Sequence, residues 1–255
     1  MNCSSSAGEK LKRERINYID ELRGLLMILV ILYHLLYDLA LIFGYKDAAQ
    51  LLRNVQPWQP VLPLGFILIS GISFQLGSKN LLRGFKLLAV ALAMTAVTAL
   101  FMPSQIIIFG IIALLAVSII ICSPTDKFIE KIPTAAGLLV CAVLFAATYN
   151  VQWHSVGVGA FSFELPEWLF RTDLTMMFGL RTQSFYSSDY TPMLPWFFAF
   201  VFGVFLGRYV KNSPEFLCRK HIPPLAFIGR HTLIIYLLHQ PIIVGALYLI
   251  NGMKL

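Results

Sequence analysis

The chain has 255 residues, 58% of them hydrophobic and 13% charged. Soluble domains carry about 25% charge and 45–50% apolar residues, so this composition excludes a water-soluble globular domain, a disordered chain and a fibre. A polytopic membrane protein remains. The net charge of +7 is then read from its placement, because Lys and Arg mark cytoplasmic loops, and not as a footprint for nucleic acid.

Residues 1–21 read as a cytoplasmic tail, basic at Lys10, Lys12, Arg13 and Arg15. They do not read as a cleaved signal, because the apolar run that follows contains Arg23, His34 and Asp38. Residues 22–255 read as a single transmembrane domain. Seven spans are expected, at 22–43, 61–76, 85–102, 105–122, 135–149, 193–209 and 225–250, each near the roughly 20 residues a bilayer requires. The stretch 174–180 is read as re-entrant or as an eighth short span. With the N-terminus inside, fifteen of the 20 Lys and Arg residues fall on the inner side and five on the outer, a strong positive-inside signal. Outer loops are expected at 44–60 and 150–192, and the second is rich in aromatic and polar groups such as Trp153, Glu164, Glu167, Trp168 and Asp173. The four cysteines, Cys3, Cys122, Cys141 and Cys218, form no CxxC and are read as unpaired thiols.

Ionisable residues inside a bilayer are costly and mark cavities or partners. The first span carries Asp20, Arg23, His34 and Asp38. His34 follows Arg23 by about three turns, roughly 16 Å at 1.5 Å per residue, so the two share a helix face, and Asp38 stacks one turn beyond. A histidine with a carboxylate one turn away suits a general-base pair, and it equally suits a structural hydrogen bond between helices. The last span begins Gly229-Arg230-His231-Thr232 and continues through Tyr236, His239 and Gln240. Thr232, Tyr236 and His239 form a polar stripe. Arg230 sits at the inner end, where a phosphate or an anionic lipid would meet it. Ser70 and Ser73 flank Gly71 in the second span, small residues that admit a close backbone or a ligand. Gly203 and Gly207 are read as helix-packing positions. No third ligand has metal spacing beside His34 and Asp38, so no metal is expected.

Arg23, ten intervening residues and His34 resemble the opening of membrane acyltransferase-3 proteins. The wider set is similar to the heparan-alpha-glucosaminide N-acetyltransferase catalytic-domain family, in its short bacterial form. That set comprises Asp20-Glu21-Leu22-Arg23-Gly24, Tyr33-His34 with Tyr37-Asp38, Ser70-Gly71-Ile72-Ser73, Pro195-Trp196 with Gly203 and Gly207, and Ile228 to Pro241. The resemblance implies an all-α helical bundle that passes an acetyl group from cytosolic acetyl-CoA to an extracytoplasmic acceptor, an amino sugar or related glycan. It implies a catalytic histidine in the membrane, carried onto His34 by the acyltransferase-3 spacing, with Asp38 orienting it. Arg23 and Arg230 would then meet the CoA phosphates, and Ser70, Ser73, Thr232, Tyr236 and His239 would bind substrate. Expected partners are acetyl-CoA, a glycan or small amine, the lipid bilayer of a bacterial cytoplasmic membrane and a second copy of the chain, without nucleic acid. Two other readings compete, a proton-coupled transporter relaying through His34 and Asp38, and a noncatalytic scaffold. The inverted pair of broken helices common in transporters is not legible in the sequence.

Overall fold

The computed structural model describes residues 16–211, 215–219 and 221–250; the expected tail thus lies largely outside the described residues. Asn17–Leu41 forms one unbroken helix, α1, with no proline and a single glycine in 25 residues. It ends at Gly44, which adopts φ +71°, while the Tyr45 amide reaches back to the Leu39 carbonyl at 3.0 Å. This is the left-handed termination that glycine allows most cheaply. The expected outer loop 44–60 is instead a helix, α2 (Lys46–Val55), continued by a 3₁₀ turn at Gln56–Trp58. Its Leu52 is buried while Lys46, Asp47 and Arg53 stay exposed, so amphipathicity makes it a helix despite its polarity. After a break comes α3, Val61–Leu76, with the bounds expected.

The helices α4 (Asn80–Phe101), α5 (Ile111–Lys131) and α6 (Thr134–Thr148) follow. The expected fourth span began at Gln105. The chain instead makes a 3₁₀ turn at Pro103–Gln105, and α5 begins only after Gly110. α5 then runs through Pro124 to Lys131. Proline removes one intrahelical donor, but Ser123 and Thr125 flank it and give their hydroxyls to the carbonyls of Ile119 (2.7 Å) and Ile121 (3.0 Å). The far end of α5 is capped from α7 (Met193–Lys211), whose Arg208 donates to Ile129 O at 2.5 Å, Ile132 O at 2.7 Å and Thr134 Oγ1 at 3.2 Å. A guanidinium there suits the negative helix end.

The expected last span, 225–250, is two helices, α8 (Pro223–Arg230) and α9 (Thr232–Ile250), divided at His231. Six described helices are long and apolar enough to cross a membrane, or seven if the bent pair 46–58 and 61–76, at 42°, counts as one span. The fold is therefore the expected all-α membrane bundle. The stretch 174–180 is not an eighth span, since Asp173–Phe178 is a 3₁₀ turn too short to cross.

The chain divides into two compact units, one from 1–66 with 212–255, the other 67–211. In the second, Phe74 of α3 packs edge-on against Phe200 of α7 with ring centres 5.9 Å apart. A Cβ on Gly71 or Gly203 would strike the backbone of the other helix, so these small residues serve packing, as read for the Gly203 pair. Residues 150–192, expected as an outer loop, lie in this unit. A two-strand hairpin pairs β1 (Ser155–Val156) with β2 (Phe163–Glu164), and His154 stacks on Phe170 at 3.7 Å. Its end is stitched to the start of α5. Ser187 Oγ accepts from the Ile108 amide at 2.8 Å, and Asp189 Oδ2 from the Ile111 amide at 3.1 Å. Burial pushes the Tyr190 phenol up to about 12, so it stays a donor to the Met176 carbonyl at 2.5 Å. Its contribution is complete below pH 10 and is lost as pH rises through about 12. Asp189→Ala should cost the loop and α5 about 1 kcal/mol, read as faster hydrogen exchange at the Ile111 amide. Unchanged exchange there would refute the capping role.

In the first unit the Glu215–Cys218 turn lies at the start of α1, where the Asn17 side chain donates to the Cys218 carbonyl. Cys218 is disulfide-bonded, which corrects the reading of four free thiols. Sequence spacing carries no information on which sulfurs meet. Cys122 and Cys141 are free and buried.

Candidate functional site

The first unit brings α1, α8 and α9 together, and most of the expected site residues lie on them. α8 runs against α1 in opposite order. A Cβ on Gly24 would meet the Leu225 carbonyl, and one on Gly229 would meet the Asp20 carbonyl. α9 then follows α1 in the same order: His239 beside His34, Gln240 beside Asp38, Tyr248 beside Phe43. His231 is thus a turning point in the chain and not the middle of a span. Two glycines make this hairpin lie close on α1, and Glu21 holds its beginning. One Glu21 oxygen accepts from the amides of His221 (2.7 Å) and Ile222 (2.9 Å), so a carboxylate caps the positive end of α8.

Near the N-terminal end of α1, Asp20 is nearly fully buried. Arg23 Nη1 lies 2.9 Å from one of its oxygens and Arg230 Nε 3.6 Å from the other. Arg230 also donates to Asn17 Oδ1 at 2.6 Å. The two arginines expected at a phosphate are therefore brought together, around one shared carboxylate.

Further along α1 the imidazoles of His34 and His239 meet edge to face, with ring centres 4.9 Å apart and planes at 65°. His239 is 8% exposed. Its Nδ1 lies 2.6 Å from the Tyr236 carbonyl. A carbonyl only accepts, so the neutral ring carries its proton on Nδ1 and its lone pair on Nε2. Tyr236 packs on the same ring at 5.4 Å. Asp38 is fully buried. Both its oxygens accept from Gln240 Nε2 at 3.0 Å, and no hydrogen bond joins it to His34 among the described residues. The expected His34–Asp38 pair is replaced by a His34–His239 pair beside an Asp38–Gln240 pair.

The hydroxyls divide. Thr232 Oγ1 donates to the Gly229 carbonyl at 2.8 Å, and Ser73 Oγ to the Ile69 carbonyl at 2.6 Å, so each spends its one hydrogen on its own chain. Ser70 and Ser73 belong to the second unit; Ser70 is half-buried in α3. Among the described residues no cluster of three or more His, Cys, Asp or Glu could hold a metal. Sequence reasoning missed the roles of Glu21 and Gln240. A signal for Gln240 was present, since it lies one turn beyond Tyr236 just as Asp38 lies one turn beyond His34.

No curated protein sequence and no solved structure matches the chain significantly. A family model does, over residues 15–241, and its description is heparan-alpha-glucosaminide N-acetyltransferase, catalytic. The match runs from just before α1 to Pro241, the residue after Gln240, and so takes in both histidines of the pair. With nearly the whole chain covered, this protein belongs to the heparan-alpha-glucosaminide N-acetyltransferase catalytic family.

Proposed function

We propose that this chain is a transmembrane acetyltransferase that takes the acetyl group of cytosolic acetyl-CoA and passes it to an amine or hydroxyl on an extracytoplasmic glycan or small amino compound. The observation that carries this reading is the His34–His239 pair on α1 and α9, within the stretch that the family model covers. In the transfer the acceptor nitrogen or oxygen bonds to the thioester carbon. Its proton goes to an imidazole, and the C–S bond breaks to release the CoA thiolate, which takes up a proton. His239 suits the base because its Nδ1–H is held by the Tyr236 carbonyl, leaving the Nε2 lone pair to act. Tyr236, packed on His239, carries a hydroxyl that suits the oxyanion that forms on the acetyl oxygen.

His34 lies roughly 18 Å along the helix from Leu22, past the middle of a hydrocarbon core about 30 Å thick. A pantetheine arm from the inner side and an acceptor from the outer side would meet there. Arg23 and Arg230, gathered at Asp20, suit the CoA phosphates at the inner mouth. The same orientation puts the N-terminus in the cytoplasm of a bacterial cell. Inside-out vesicles given labelled acetyl-CoA outside and glucosamine within should accumulate labelled N-acetylglucosamine in the lumen. Transfer only when acetyl-CoA is supplied to the opposite face would overturn the orientation, and no acetyl transfer to glucosamine or to a panel of amines and alcohols would overturn the activity.

A further inference from the structure

Gln240 has a side chain whose two ends are treated differently. Its Nε2 is held by both oxygens of Asp38 at 3.0 Å. A carboxylate accepts and does not donate, so Asp38 fixes which way the amide faces. The carbonyl end, Oε1, must then point away from Asp38. That oxygen is buried and has no hydrogen-bond partner among the described residues. A buried carbonyl without a donor is costly, and here it stands one residue from His239 and opposite the turn of α1 between His34 and Asp38. The residue that follows, Pro241, lies inside α9 and has no amide N–H to offer to the Leu237 carbonyl, so this turn of the helix is rich in acceptors and poor in donors.

We propose that Gln240 Oε1 receives an N–H from a reactant, and that Asp38 is a positioning residue acting only through Gln240. This role rests on the acetyl-transfer reading of the same site. The ligand chemistry is an N–H donor, and two reactants carry one: the pantetheine amides of acetyl-CoA and an acceptor amine. An oxygen already turned into place costs nothing to orient when the reactant arrives. Asp38→Asn would let the Gln240 amide turn over and present Nε2, a donor, to the same N–H.

The test is steady-state kinetics of the full chain in detergent, with acetyl-CoA and glucosamine as probes and the melting temperature followed for each variant. Gln240→Met keeps the length and removes the acceptor. It should raise one KM about tenfold, the scale of a lost hydrogen bond that strands its partner, while kcat changes much less. A rise in the acetyl-CoA KM identifies the pantetheine amide, and a rise in the glucosamine KM identifies the amine. Asp38→Asn should raise that same KM and leave the other alone. Added to Gln240→Met it should cost nothing further, since its only route of action is gone. An unchanged pair of KM values in Gln240→Met, or additive effects in the double variant, would overturn the proposal while the wild-type activity stands. Should Gln240→Met fail to fold, Asp38→Asn carries the decision by its KM pattern. A wild-type protein that transfers no acetyl group would overturn the acetyl-transfer reading, and this role with it.

Discussion

His239→Ala is expected to lower kcat/KM for acetyl transfer by roughly 10²–10⁴, the usual reach of general acid–base catalysis. Acetyl-CoA binding and the melting temperature should change little. The expectation follows from the way the ring is held. His239 is buried, its Nδ1 is tied to the Tyr236 carbonyl and its ring meets that of His34. A base in a fixed tautomer with a fixed direction pays no ordering cost at each turnover. His34→Ala should fall in the same range, and the double variant should be little worse than either single one, because residues that act as a unit are not additive. His239→Gln retains volume and polarity and guards against a trivial loss of packing. Near-wild-type turnover in a folded His239→Gln protein would remove this ring from the chemistry.

Gly229→Leu should destabilise the first unit severely. Even a bare Cβ at Gly229 would strike the Asp20 carbonyl, and the three nearest atoms are all α1 backbone. Overpacking against movable side chains costs about 1–3 kcal/mol. A helix backbone cannot step aside without breaking its own hydrogen bonds, so the loss here should reach about 3 kcal/mol or more, a large part of a typical total of 5–15. The control is Gly245→Leu in α9, where nothing stands within 4 Å of an added Cβ. Thermal unfolding in detergent should separate the two by many degrees. Equal melting temperatures would show that α8 does not lie on α1 as described.

Much of this architecture was legible in the sequence because hydropathy reads span length directly. The bounds of α3, the start of α7 and the end of α9 fall where apolar runs start and stop. The errors have local causes. Residues 44–60 looked like a loop because Lys46, Asp47 and Arg53 are charged, yet their spacing leaves Leu52 on a buried face. The break at His231 was missed because the apolar stretches of α8 and α9 flank a polar junction of only Arg230, His231 and Thr232, and the close approach of α1 backbone to Gly229 is a long-range contact. The candidate site was half legible. His34 and His239 stand out as ionisable groups inside apolar segments. Their meeting, the capture of Asp38 by Gln240 and the sharing of Asp20 by Arg23 and Arg230 are long-range events. Asn17 and Arg230, which now bond, are 213 residues apart. Hydrophobic periodicity within one helix does not report on a partner so distant.

The first unit is assembled from the two ends of the chain, while the second is one continuous stretch. During synthesis the ribosome delivers α1 before residues 67–211, and α8 and α9 after them. For the whole of that interval Asp20 lacks Arg230, and Glu21 lacks the amides it caps. A newly made α1 therefore waits with two acidic groups near its membrane entry, while residues 67–211 can complete their own packing. Meeting of the histidine pair is consequently a closing event, timed by the arrival of α8 and α9, and a ribosome stalled before residue 221 would leave residues 67–211 able to pack while His34 still lacks His239.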